Sequence, residues 1–164
     1  MNLWLSNILR FVICVLLQVL IINNLNLLGL CTPYVYILFL ISLPARIPRW
    51  AELLIGAATG ITIDIFCNSI GVNMAACLLV AYLRPLLIDN LVTEKERLTG
   101  TINSTEVGMS VYLRLIGILI ILHHSAVVML ETFSFQNFHL TLINIVLSSA
   151  ITFAMLSGYE VLRR

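Results

Sequence analysis

Apolar residues along the chain fall into blocks separated by short polar breaks, at 7–22, 34–43, 51–67, 72–91, 107–130 and 139–162. A helix rises about 1.5 Å per residue, so crossing a hydrocarbon layer of ~30 Å takes about 20 residues, with a range of roughly 17–25. All the blocks but the second have that reach or nearly so. The second is clipped between Pro33 and Pro44, and spans only if residues 27–30 join it across a kink at Pro33, giving 27–43. The breaks between blocks carry turn and cap signals. Pro48 suits a helix start, and Glu52 in the first turn meets the positive end of the helix dipole. Gly71 centres a tight turn at 68–73, and Pro85 marks a kink within 72–91. Asn103 with Glu106 three residues later resembles a capping box for the block at 107–130. The pattern predicts an all-α integral membrane protein, one compact domain over 1–164 with about six transmembrane helices.

Composition agrees and narrows the class. Of the 164 residues, 60% are hydrophobic and 10% charged, and the mean hydropathy is +1.05. A soluble domain carries roughly 25% charged residues, so the deficit points to lipid as the solvent. No hydrophilic stretch is long enough for a separate globular domain, and the net charge of +1 gives no reason to expect nucleic acid. The first block lacks a small-residue cleavage site before Asn23. It reads as an uncleaved span with Trp4 as its interfacial anchor.

Charge placement predicts orientation. With six crossings and the N-terminus inside, the inner loops hold Arg46, Arg49, Lys95 and Arg97, and the inner tail holds Arg163 and Arg164. Arg10, Arg84 and Arg114 lie in the inner parts of their helices, from which they can snorkel to the interface. All nine basic residues then fall on the cytoplasmic side, as the positive-inside rule requires. A five-span chain starting inside would export most of them. One starting outside, with the first two blocks not both crossing, misplaces only Arg10 and stays open. Both termini are expected in the cytoplasm. A cysteine at Thr99 should therefore resist an impermeant thiol reagent, and one at Gln136 should react.

Polar and small residues recur at helical spacing within the blocks. Examples are Asn7, Cys14 and Gln18; Asn73, Cys77, Ala81 and Arg84; Ser110, Arg114, Gly117 and His124; and Thr141, Asn144, Ser148 and Thr152. Such stripes mark the bundle-facing sides of membrane helices. The sharpest one is Gly56, Gly60 and Asp64, every fourth residue on one face, followed across the turn by Gly71 and Asn73. The glycines admit a close neighbour, so this face reads as a packing or partner seam. Its carboxylate must find a partner inside an apolar segment. As a docking surface, the seam should suffer more from bulk at Gly60 than from lost charge at Asp64. Asp64, His123 and His124 also share one depth and form a candidate outer polar cluster. The two histidines point about 100° apart on a helix, so they cannot serve one site equally.

Cys14, Cys31, Cys67 and Cys77 have no CxxC spacing, so no metal is indicated; Cys31 and Cys67 both fall at the outer surface and can pair. Neither HExxH nor GxSxG occurs, and no catalytic residue or cofactor is expected. The run Thr93-Glu-Lys-Glu-Arg reads as a solvated loop or as a face offered to a cytoplasmic filament, and Asn103-Ser104-Thr105 is a sequon on the predicted cytoplasmic face.

The block Asp64-Ile-Phe-Cys-Asn-Ser-Ile-Gly-Val-Asn, in a six-segment chain of this length, resembles the most recognisable part of the rod shape-determining protein MreD family. Pro33 before the second block, and His123-His124 followed by Glu131-Thr-Phe-Ser-Phe, resemble the version found in Bacteroides-type bacteria. The resemblance implies a non-enzymatic subunit of the cell-elongation machinery in the bacterial inner membrane. Its implied partners are MreC, the MreB filament, and RodA with its penicillin-binding transpeptidase, in contact with membrane lipid. It also implies a fold similar to the substrate-binding subunits of energy-coupling-factor transporters, so capture of a vitamin or other small molecule is the alternative function.

Overall fold

In a membrane every backbone polar group must find a partner within the protein, and long apolar blocks achieve this as helices. The computed structural model describes residues 3–24, 31–97, 100, 102–132 and 138–163. The anchoring side chain of Trp4, the 27–30 extension of the second segment, and residues 133–137 of the last turn lie outside the described residues. The chain forms α1 (Leu3–Leu16), which continues through a π turn at Leu17–Ile21 and a 3-10 turn at Ile22–Asn24. Then follow α2 (Ile37–Ile41), α3 (Arg49–Cys67), α4 (Val72–Leu91), α5 (Glu94–Arg97), α6 (Ser104–Val107), α7 (Met109–Thr132) and α8 (Phe138–Arg163).

Among the described residues five helical stretches, not six, are long and apolar enough to cross a membrane: Leu5–Asn24, Arg49–Cys67, Val72–Leu91, Met109–Thr132 and Phe138–Arg163. The protein is thus an all-helical chain of the membrane class. α3, α4, α7 and α8 pack in sequence, each antiparallel to the next. The second segment lies in the middle, its short α2 touching α1, α4 and α7.

That second segment is the main departure from expectation. Only Ile37–Ile41 is helical, every residue of it is buried, and Tyr36 and Leu43 beside it are buried too. Irregular backbone survives at membrane depth only when protein surrounds it and satisfies it. Here the surrounding helices supply the partners. Gln18, in the π turn, donates from Nε2 to the Pro33 carbonyl (3.1 Å) and accepts the Val35 N–H on Oε1 (2.8 Å). Ser148 and Thr152 of α8 accept the N–H groups of Thr32 and Tyr34, each at 3.1 Å. At the far end Arg10 donates to the Ser42 carbonyl (3.3 Å), and Arg84 donates to the carbonyls of Ile41 (3.2 and 3.3 Å) and Leu43. The polar stripes of α1, α4 and α8 therefore clothe one central, largely non-helical segment.

The loops at one end are tied to one another. The Ala45 N–H donates to the Gly100 carbonyl (3.2 Å), and Glu160 near the end of α8 accepts the N–H (2.9 Å) and hydroxyl (2.8 Å) of Ser104. Thr93 and Glu96 form a reciprocal capping box around α5, so this stretch, exposed at Thr93, Glu94 and Lys95 as a solvated run should be, is one helical turn. The Thr93 hydrogen bonds hold the exposed Glu96 carboxyl below the usual carboxylate range. Asn103 caps the one-turn α6, accepting from Thr105 and Glu106, and Gly108 at φ +79° separates α6 from α7. The cap expected for the fifth block therefore starts a separate turn. Pro85 sits within a continuous α4. No disulfide forms among the described residues: Cys31 is buried, and Cys67 is exposed with its Sγ accepting from Asn23 at 3.1 Å.

Candidate functional site

The Gly56, Gly60 and Asp64 face lies against α4 of the same chain, so no outside partner occupies it. A Cβ added at Gly60 would stand 2.3 Å from Met74 Cα and 2.7 Å from the Asn73 carbonyl oxygen. One at Gly56 would stand 2.9 Å from Ala81 Cβ and 3.1 Å from the Cys77 carbonyl oxygen. The α3–α4 backbones approach this closely because lipid offers no hydrophobic gain and packing contact must hold the pair.

Asp64 completes the junction. Gly71, the residue before α4, adopts φ +75° and has no side chain with which to cap the helix. Asp64 takes that role from across the turn. Its Oδ1 accepts from Ser69 Oγ (2.6 Å), Asn73 N (3.0 Å) and Asn73 Nδ2 (3.0 Å), while Oδ2 accepts from Met74 N (2.9 Å). Both oxygens act as acceptors for first-turn N–H groups of α4, where the helix dipole also favours negative charge. Asn68 at φ 54° ends α3 and starts the turn that brings Ser69 and Asn73 round to the carboxylate.

The network continues inward. Asn73 Nδ2 donates to Asp64 and to Ser69 Oγ (3.0 Å), which leaves its Oδ1 as the acceptor for the Tyr36 hydroxyl at 2.9 Å. The Tyr36 proton is committed there, so the 2.7 Å contact with His123 requires Nε2 of His123 to donate. His123 is therefore the Nε2–H tautomer, and its buried Nδ1 has no partner among the described residues. His124 is wired separately. Its Nδ1 lies 2.9 Å from the Ile120 carbonyl and must donate, so Nε2 accepts from Thr152 Oγ1 at 3.1 Å. Tyr34 packs its ring against both imidazoles, with centroids 5.4 and 5.2 Å away.

Asp64 thus joins His123 through Asn73 and Tyr36, whereas His124 belongs to the contact between α8 and the second segment. All of these groups are buried. Among the described residues no three His, Cys, Asp or Glu side chains are placed to hold a metal ion.

A further charged site was not expected from the sequence. Arg84 does not snorkel; it is 1% exposed and donates to Glu52 Oε1 at 2.6 Å, with Glu52 equally buried. Tyr36, Ser69, Glu52 and the backbone of Met74 are the other participants that spacing alone does not single out. One signal pointed to the ion pair: Glu52 and Arg84 are opposite charges at similar depth in two blocks joined by a short turn. No protein-family model, curated protein or solved structure matches the chain.

Proposed function

We propose that this chain is a non-enzymatic membrane scaffold of the bacterial cell-elongation machinery, a subunit of the kind its Asp64-to-Asn73 block resembles. One observation carries the reading. Most of the buried polar side chains in the helices are used on each other and on the second segment's backbone, as at Asp64, Gln18, Arg84 and Thr152. Away from their ends, what faces outward on α1, the π turn and α8 is mostly apolar, including Leu9, Leu16, Leu20, Ile143 and Val146, a surface suited to lipid and to partner transmembrane helices. The proposed orientation puts the end bearing Arg46, Arg49, Lys95 and Arg163 in the cytoplasm of the inner membrane. The proposed partners are MreC, the MreB filament, and RodA with its transpeptidase.

Depletion of the protein in the bacterium that carries it tests this reading. The expected result is loss of rod shape with reduced incorporation of new wall along the cell's sides. MreC should co-purify with the tagged protein from mild detergent. Depleted cells that keep their shape but fail to take up a vitamin would overturn the scaffold in favour of small-molecule capture.

A further inference from the structure

A groove of about 460 Å³ opens beside α1 at the basic end of the bundle. Ile8 and Phe11 form one wall, Phe39 the floor, Ile55 and Ala58 the other wall, and Arg46 stands at the mouth. Along α3 the lining runs from Pro48 to Thr59, about 16 Å at the helical rise. The groove is lined mainly by apolar side chains and is long enough to take a stretch of extended hydrocarbon chain.

Arg46 lines its mouth, and Arg49, just outside the lining at the start of α3, is attracted by the Glu52 carboxylate. Arg46 and Arg49 are exposed, and among the described residues neither has an ion-pair partner. The nearest carboxylate along the chain, Glu52, is bound to Arg84. A second groove, of about 380 Å³ between α1 and α8, also holds an arginine, Arg10, but that guanidinium donates to the Ser42 carbonyl. Basic residues beside an apolar cleft at the cytoplasmic ends of membrane helices match the recognition chemistry of anionic lipid headgroups.

We propose that the groove between α1 and α3 is a binding site for one anionic phospholipid, with an acyl chain along Phe11 and Phe39 and the phosphate on Arg46 and Arg49. This goes beyond the scaffold role and does not depend on it. Native mass spectrometry of the detergent-purified chain, incubated with phosphatidylglycerol or with phosphatidylcholine at equal concentration, provides the test. The wild type should retain phosphatidylglycerol at least fivefold over phosphatidylcholine. Arg46→Gln with Arg49→Gln should abolish that preference. Ala58→Phe should reduce retention of both lipids by filling the groove. Arg114→Gln, exposed and outside the groove lining, should behave as wild type. Equal retention of the two lipids by the wild type, an undiminished preference in the arginine variant, or undiminished retention in Ala58→Phe would each overturn the proposal.

Discussion

Asp64 is a carboxylate in an apolar helix that serves the start of the next helix. Its four acceptor contacts give the carboxylate a role that asparagine fills only in part. An asparagine puts an NH₂ group where an oxygen accepts, facing either the Met74 N–H or the donors of Ser69 and Asn73. Leaving a buried donor unmet costs about 1–3 kcal/mol, so Asp64→Asn should lower the thermal unfolding midpoint in detergent by a margin well outside error. Gly60→Ala should do so too, since its Cβ would lie inside contact distance of the Met74 backbone. Overpacking typically costs about 1–3 kcal/mol, and Gly60 should lie at the upper end. Gly56→Ala, which meets chiefly the Ala81 methyl, should be milder. An unfolding series in which Gly56→Ala is the worse of the two glycine variants would contradict this account of the seam. The four-residue spacing was legible in the sequence because it sits on one helix. The cap was not, because it depends on the missing side chain of Gly71 and on a turn that returns the chain to its own carboxylate.

At the level of elements, the second segment explains why charge lies inside the bundle. Its short helix leaves the Ile41 and Leu43 carbonyls without helical partners, and Arg84 supplies the donors while Glu52 balances its charge. The two residues are therefore unequal. Removing one partner of a buried pair costs about 3–5 kcal/mol, and Arg84→Met also strands the carbonyls, so it should be more damaging than Glu52→Gln. Exchanging the charges, Glu52→Arg with Arg84→Glu, should fail to restore stability, because a glutamate cannot donate to Ile41 and Leu43. The yield of monodisperse protein after detergent extraction reads both comparisons. Full rescue by the exchange would mean that the pair matters only as an ion pair. The long helices were readable because apolar runs of span length have few other fates. The second segment was not readable, because ten apolar residues between prolines look alike whether they face lipid or lie inside the bundle.

For the whole molecule, the buried segment lies alongside the long helices. It meets Gln18 and Asn73 through residues 33–36 and meets Arg10 and Arg84 through 41–43, so it runs about 16 Å along α4. With five long helices beside it, the start of α1 and the end of α8 are expected at the basic end. Ile70, 98% exposed in the turn between α3 and α4, and Lys95 at the opposite end are suitable reporters. In a Cys67→Ser background, Ile70→Cys should react with an impermeant thiol reagent on intact cells and Lys95→Cys only after lysis; the reverse pattern would invert the orientation. The all-helical membrane class was legible from the length of the apolar blocks together with the composition, whereas the interior position of one segment depends on contacts between residues far apart in the chain. Those contacts also set a schedule for biogenesis. Thr32 and Tyr34 find their acceptors on α8, 116 and 118 residues later, and a ribosome adding about 5–20 residues per second needs roughly 6–24 s to reach them. Throughout that wait the second segment has unpaired amides and too little helix to be stable in lipid. It must stay at the aqueous edge or with the insertion machinery until α8 arrives, so chains truncated before Phe138 should accumulate there and be degraded.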